Sequence, residues 1–207
     1  MRPKLKVNEI KDLHDARYCS AVGIYLLGFN LQNGNDDKVT AKMVKEVMGW
    51  LSGPESIGEF AYETQDEINA TQEEYELNYV GIPMDYHPDL AGEIKAPLIF
   101  RFGEEAIQAG PELSHLLRLC EKFPEALFEL SIDPGNAEVW EEVKEANLVQ
   151  RSLFRFEDPD SIYNSLKKGG QEAFGFALGE FVEEPGGNLD YQKCDDFVER
   201  YDELLPV

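Results

Sequence analysis

The chain has little positive charge, few cysteines and no long apolar run. In 207 residues, 19 lysines and arginines stand against 41 aspartates and glutamates, and the formal net charge is −22. DNA, RNA and anionic membranes attract proteins through positive patches, so this charge argues against a nucleic-acid or membrane partner. No segment approaches the roughly 18 apolar residues of a membrane span, and the start lacks the apolar region of a signal peptide. We therefore expect a cytoplasmic protein.

The cysteines and histidines are also too few and too scattered for a disulfide framework or a metal site. Cys19, Cys120 and Cys194 are an odd number and contain no C-x-x-C pair, which predicts buried, reduced thiols. The three histidines are isolated and offer no zinc ligand set. No glycine-rich loop typical of nucleotide binding is present. We expect no metal and no cofactor.

Short apolar runs alternate with segments of helical periodicity along the whole chain. This rhythm is typical of parallel strands joined by helices. The candidate strands are Leu5–Asn8, Tyr25–Leu31, Ser56–Tyr62, Leu77–Pro83, Ala96–Phe102, Ala126–Asp133, Leu148–Phe156 and Glu172–Gly179. The clearest amphipathic helices are Thr40–Leu51 with Thr40 as N-cap, Pro111–Phe123, Asp158–Leu166 and Asp190–Leu205. The acidic stretches Asp66–Glu76 and Glu138–Glu145 are expected to be solvated faces.

Eight strand–helix units in a chain of 207 residues predict the α/β class and a single-domain (β/α)8 TIM barrel spanning residues 1–207. Its ligand site would lie on the loops that follow the strands. The alternative is a doubly wound open sheet, which usually has a glycine-rich turn after the first strand. Here Asn8-Glu9-Ile10-Lys11 follows that strand, so the barrel is favoured.

Several segments resemble, in the correct order, the phosphoribosylanthranilate isomerases of tryptophan biosynthesis, which are (β/α)8 barrels. Lys6–Ala16 is similar to the family's K-I-C-G-I-T-x-x-x-D-A, and Val22–Phe29 to A-G-A-D-x-x-G-F. Ile57–Phe60 resembles V-G-V-F, Leu77–Pro83 takes the place of the V-Q-L-H-G strand, and Asp158–Ile162 that of N-P-E-N-V. The likeness extends over nearly the whole chain and implies a divergent member of this family.

The resemblance implies an intramolecular aldose–ketose isomerisation, which needs a general base and a general acid. The family's base is the cysteine of K-I-C-G, and this chain has Asn8 there. A carboxamide can orient a ligand but cannot be that base. Glu9 would replace it only if the backbone turned at that residue. The family's acid ends the sixth strand, where Asp133 is either a retained site carboxylate or the start of an Asp-Pro-Gly turn.

The family's phosphate site is also altered. Its glycine turn after strand seven is replaced by Arg155 and Phe156, and of the serine–glycine turn after strand eight only Gly179 remains. Asp36 and Asp37 follow strand two, where the family has an arginine. These changes predict that the activity is lost or altered.

Four ionisable residues lie within candidate strands: Glu59, Arg101, Glu129 and Arg155. Barrel interiors are usually filled by branched apolar side chains. One interpretation is a remodelled anion or carboxylate site that uses both guanidinium groups. The other is that the four form salt bridges that cap the barrel, or point outward under the helices.

Three functions therefore stay open. The first is an isomerase-like barrel whose isomerase activity is lost or reduced. The second is an enzyme that acts on another small acidic metabolite at the barrel mouth through Asn8, Asp133, Arg101 and Arg155. The third is a non-catalytic binding protein whose acidic helices meet a basic partner. A small-molecule ligand, either a sugar phosphate or a carboxylate, is expected for the first two, and no feature predicts an oligomeric state.

Overall fold

The computed structural model is a closed barrel of eight parallel strands with helices around it. It describes residues 2–103, 106–133, 136–156, 158–167, 170–184 and 188–205. Each strand pairs with its neighbours in sequence, and the last pairs with the first. The predicted (β/α)8 barrel is confirmed. The doubly wound alternative is wrong, because pairing of the first and last strands leaves the sheet without an edge.

All eight predicted strands are present, with ends that differ by a few residues. They are β1 Lys4–Val7, β2 Leu26–Asn30, β3 Glu55–Glu59, β4 Tyr79–Pro83, β5 Leu98–Arg101, β6 Leu127–Ser131, β7 Ser152–Arg155 and β8 Gly175–Ala177. The apolar runs in the sequence extend past several strand ends because the next residues are buried as well. Phe102 and Phe156, for example, are buried beyond β5 and β7.

Within the described residues, eight α-helices follow the strands. They are α1 Leu13–Ala21, α2 Ala41–Gly49, α3 Gln65–Tyr75, α4 Pro88–Ala91, α5 Pro111–Lys122, α6 Ala137–Glu145, α7 Pro159–Lys167 and α8 Tyr191–Leu204. The four clearest predictions are confirmed as α2, α5, α7 and α8. The two acidic stretches lie in helices α3 and α6, which bury only Ile68, and Val139 with Val143.

The helix starts follow from local hydrogen bonds. Thr40 Oγ1 accepts the N–H of Met43 at 3.3 Å, which confirms Thr40 as the N-cap of α2. Thr64 and Glu67 form a capping box at the start of α3, so even this strongly acidic helix has a defined beginning.

Two apolar regions surround the sheet, one on each side. The outer region lies between strands and helices and contains five fully buried phenylalanines of the strands: Phe29, Phe100, Phe128, Phe154 and Phe176. The inner region fills the lower part of the barrel with Leu26, Ile57, Ile99 and Leu153. Because side chains alternate along a strand, these two sets fix which residues point into the barrel.

The three cysteines are buried and form no disulfide, which confirms the predicted reduced thiols. Burial raises the pKa of Cys120 and of Cys194 to about 12, so both stay protonated at neutral pH. In the described part of the chain, no helix is both long enough and apolar enough to cross a membrane.

Gly175 tests how tightly the barrel closes between β8 and β1. A Cβ at this position would lie 2.3 Å from the carbonyl oxygen of Lys4 and 2.8 Å from Leu153 Cδ2. We expect Gly175→Ala to lower the free energy of unfolding by at least about 2 kcal/mol, measured by urea denaturation. Gly49→Ala is the matched control, because nothing lies within 4 Å of the place that its new methyl group would take. Equal stability of the two variants would contradict this account of closure.

Candidate functional site

The inward residues at the carboxyl ends of the odd-numbered strands lie at one level. The hydrogen-bonded row that starts at Glu59 continues through Gly81 to Ile99. Barrel strands are tilted, so a hydrogen-bonded row does not stay at one height along the barrel axis. On the next odd-numbered strand, the residue level with Glu59 lies two positions beyond the row, and it is therefore Arg101 and not Ile99. The same step around the barrel gives a ring, called the mouth layer here, of Asn8, Glu59, Arg101 and Arg155.

The even-numbered strands supply the layer below, which consists mostly of small residues. This small layer is Gly28, Gly81, Glu129 and Ala177. A Cβ on Gly28 would lie 3.0 Å from Glu59 Oε1 and 3.2 Å from Asn8 Oδ1, and one on Gly81 would lie 3.4 Å from Arg101 Nε. The missing side chains therefore leave the space that polar groups of the mouth layer occupy.

The Lys6 side chain extends upward from below the small layer and links Glu129 of that layer to Glu59 of the mouth layer. Its side chain is fully buried, and its ammonium donates to Glu59 Oε1 at 2.8 Å and to Glu129 Oε2 at 2.5 Å. Both carboxylates are also almost fully buried. A buried charge is tolerated when it is paired and hydrogen-bonded, and here one cation bridges two anions.

Arg101 continues this network on the opposite side of Glu59. Its Nη1 lies 3.5 Å from Glu59 Oε2, and its Nη2 donates to the carbonyl oxygen of Phe60 at 2.7 Å. Burial opposes ionisation of Glu59, but the positive charges of Lys6, Arg101 and Arg155 outweigh it and lower the pKa of this carboxyl. Glu59 is thus a carboxylate at neutral pH.

The structure settles where the four strand charges point. Lys6 links Glu59 to Glu129, Arg101 contacts Glu59 directly, and all three strand residues face the barrel interior. The register places Arg155 in the same ring as Glu59 and Arg101. The interpretation that these residues point outward is wrong. Sequence reasoning missed Lys6, which entered only as part of a motif. The signal was the alternation of Lys4, Lys6 and Asn8 along β1.

Asn8 follows β1 and lies in the mouth layer next to Gly28. Its Oδ1 is buried, and within the described residues it has no hydrogen-bond partner. The backbone does turn at the next residue, since Glu9 has φ of 54°, a left-handed conformation that favours glycine. The resembling family has glycine there. The Glu9 side chain is exposed.

Asp133 and Gly179 lie two residues beyond β6 and β8. Asp133 is exposed, and its carbonyl oxygen accepts the N–H of Asn136 at 2.9 Å, the hydrogen bond of a turn. Pro134 and Gly135, the centre of the predicted Asp-Pro-Gly turn, lie outside the described residues. Gly179 is buried, and a Cβ on it would lie 3.4 Å from the carbonyl oxygen of Phe156. It allows close approach of the ends of β7 and β8.

The loops after β2 and β3 form an acidic rim beside the mouth layer. Buried Glu63 joins them, because its carboxylate accepts the N–H groups of Asn33 and Ala61. An open cavity of about 770 Å³ lies between the loops, and its lining includes Asp36 and Asp37. Negative charge therefore surrounds this side of the mouth.

No family model matches the chain, and no curated protein matches it in sequence. Solved structures do resemble it. Phosphoribosyl anthranilate isomerase from Thermus thermophilus aligns over 97% of this chain and 99% of its own, with a TM-score of 0.78 and 18% identity. The enzyme from Thermotoga maritima gives the same coverage, a TM-score of 0.76 and 15% identity. TrpF from Jonesia denitrificans gives 98% of each chain, 0.73 and 15%. At these identities the likeness shows the fold.

The Lys6 bridge predicts that acidification changes the stability of the wild type and of a Lys6 variant in opposite directions. We expect Lys6→Met to destabilise the protein by about 3–5 kcal/mol, because two buried carboxylates lose their shared cation. In the wild type the lowered pKa of Glu59 means that its stabilisation is present above the ordinary carboxyl pKa of about 4.3 and is lost as pH falls through the lowered value. In the variant, one buried carboxylate takes up a proton, so stability should rise from about pH 7 to about pH 5.

Urea denaturation from about pH 7 down to about pH 3 measures both effects, since the wild-type loss begins below the ordinary carboxyl pKa of about 4.3. Lys4→Met is the matched control, since Lys4 pairs with Glu55 at the partly exposed base of the barrel and its loss should cost about 1 kcal/mol or less. A Lys6→Met protein that loses stability on acidification as the wild type does would contradict the buried bridge.

Proposed function

We propose that this chain is a phosphoribosylanthranilate isomerase-like barrel that does not catalyse the isomerase reaction and binds a small organic acid at its mouth. One observation carries the proposal. The inward position directly after β1 is Asn8, and the ring is completed by Glu59, whose ion pairs lower its pKa, and by two arginines.

Isomerisation of a sugar requires a group that accepts a proton and one that donates a proton near neutral pH. Asn8 has no such titration, and arginine stays protonated in proteins. Glu59 is held as a carboxylate of lowered pKa by its ion pairs, so it is a weak base and has no proton to donate. Asp133 lies outside this ring and starts a turn.

The ends of β7 and β8 also differ from what a phosphate cradle requires. Such a cradle uses glycines that let backbone N–H groups approach the phosphate oxygens. Here Arg155 and Phe156 stand at the end of β7, and Gly179 already lies close to the Phe156 carbonyl. The acidic rim at Asp36 and Asp37 adds repulsion against a doubly charged phosphate.

The mouth layer nevertheless favours an anion of lower charge. Arg101 and Arg155 bring two planar guanidinium groups to one ring, and guanidinium matches a carboxylate with parallel hydrogen bonds. The Arg101 side chain is 21% exposed, so part of it remains accessible to a ligand beside its contacts with Glu59 and Phe60. A small carboxylic acid fits this ring better than a sugar phosphate.

The first test is isomerase activity. The purified protein should show no turnover of phosphoribosylanthranilate, and its gene should not restore growth to a tryptophan auxotroph that lacks the isomerase. Asn8→Cys should stay inactive, because the ring still lacks an acid and a phosphate cradle. Turnover by the wild type that disappears in Asn8→Ala or Asp133→Ala would refute the loss of activity.

The second test is acid binding, measured as the rise in melting temperature with a panel of small carboxylic acids. At a concentration 100 times its Kd, a bound acid adds about 2.7 kcal/mol to the free energy of unfolding. We expect such a rise in the wild type and in Arg151→Gln, whose arginine caps carbonyls at the other end of β7. Arg155→Gln should lose it. An effect that persists in Arg155→Gln, or no effect with any acid, would refute acid binding at the mouth.

A further inference from the structure

A further layer of inward residues, two of them polar, lies directly above the mouth layer. Along the even-numbered strands, the next inward positions after the small layer are Asn30, Pro83, Ser131 and Gly179, and they are called the rim layer here. Asn30 follows Gly28 by two residues, and Ser131 follows Glu129 by two, so their side chains share the inward face. Asn30 is 3% exposed and Ser131 is 9% exposed, which is unusual burial for polar side chains.

Several polar atoms of these layers form no hydrogen bond with another described residue. Asn30 Oδ1 accepts the N–H of Gln32 at 3.1 Å, which fixes the amide, but no hydrogen bond joins Asn30 Nδ2 to another described residue. Ser131 Oγ and Asn8 Nδ2 likewise form no hydrogen bond with another described residue. These three atoms are absent from the set that is both unpartnered and sealed from solvent, so each is accessible to solvent. They reach the mouth of the barrel with free hydrogen-bonding capacity.

These neutral groups match the hydroxyl groups of a ligand. A hydroxyl both donates and accepts, so it can accept from an amide N–H and exchange a hydrogen bond with a serine. Ligand sites generally combine a few such convergent polar groups with one charged anchor. Here Asn8 follows β1 and Asn30 ends β2, whereas the guanidinium groups are on β5 and β7, and Ser131 on β6 lies between those two groups. A ligand that spans the mouth would meet the guanidinium groups and Ser131 on one side and the amides of Asn8 and Asn30 on the other.

We propose that the acid bound at the mouth is a small polyhydroxy carboxylate, such as a sugar acid without a phosphate group. This inference rests on the proposed acid binding and specifies its ligand class. The carboxylate binds at Arg101 and Arg155, and its hydroxyl groups bind Asn8, Asn30 and Ser131. A site built to bind hydroxyl groups rejects an analogue that lacks them, because its own polar groups then stay unpaired.

Calorimetric titration of the 207-residue chain tests this with four probes that separate the two features. D-Gluconate carries both a carboxylate and hydroxyl groups, propionate only the carboxylate, sorbitol only the hydroxyl groups, and ribose 5-phosphate a phosphate in place of the carboxylate. We expect gluconate to bind at least tenfold more tightly than each of the other three.

Two serine variants locate the hydroxyl contacts. Ser131→Ala should weaken gluconate binding about three- to tenfold, the loss expected for one hydrogen bond, and leave propionate binding unchanged. Ser152→Ala is the control, since Ser152 bonds to the Leu148 carbonyl at the opposite end of the barrel and should leave gluconate affinity unchanged. Circular dichroism of each variant establishes that it is folded.

The outcomes separate this inference from the proposed function. Equal affinity for propionate and gluconate, or tighter binding of ribose 5-phosphate, would overturn the ligand class. Equal affinity would still leave acid binding at the mouth intact. Wild-type gluconate binding that is unchanged in Ser131→Ala would also overturn the proposed contacts. Absence of binding for gluconate and for every acid of the panel would overturn the ligand class and acid binding together, while the isomerase assay would still stand on its own.

Discussion

The upper half of this barrel depends on one buried cation, the ammonium of Lys6. Two carboxylates from β3 and β6 meet on it, and the charge of Arg101 reaches the same cluster through Glu59. Without the lysine, Glu59 and Glu129 would repel each other in a region that water does not reach. Lys6 on β1 therefore supports the ionised state of Glu59, and through Glu59 it supports the position of Arg101 and the polarity of the mouth.

This arrangement requires small side chains in the layer just below the mouth. Lys6 can extend upward only because Gly28, Gly81 and Ala177 leave the centre of their layer open. Larger residues at the glycines would contact Asn8, Glu59 or Arg101 directly. Small residues and long charged residues on alternating strands are thus one design, in which backbone proximity and ion pairing depend on each other.

The order of strands and helices was readable from the sequence because hydrophobic periodicity is local. The strand charges at Glu59 and Arg101 could be recognised as unusual, since they interrupt apolar runs. Their partner could not, because Lys6 stands 53 residues from Glu59 and 123 from Glu129 and meets them only when the barrel closes. Asp133 shows a different limit. An aspartate is expected there both at the start of an Asp-Pro-Gly turn and as a site carboxylate at a strand end, so the sequence alone could not separate the two roles.

The mouth and rim layers differ in where their polar groups find partners, and this separates stability from binding. Glu59, Glu129 and Lys6 satisfy one another inside the barrel and are covered by the layers above, so they stabilise the fold whether or not a ligand is present. Asn30 and Ser131 stand one layer higher and keep hydrogen-bonding groups that no described residue uses. Buried polar groups normally find partners, and those left open at a barrel mouth find them in water or in a ligand. Ligand specificity can therefore reside in the rim layer while the ion cluster below it holds the scaffold.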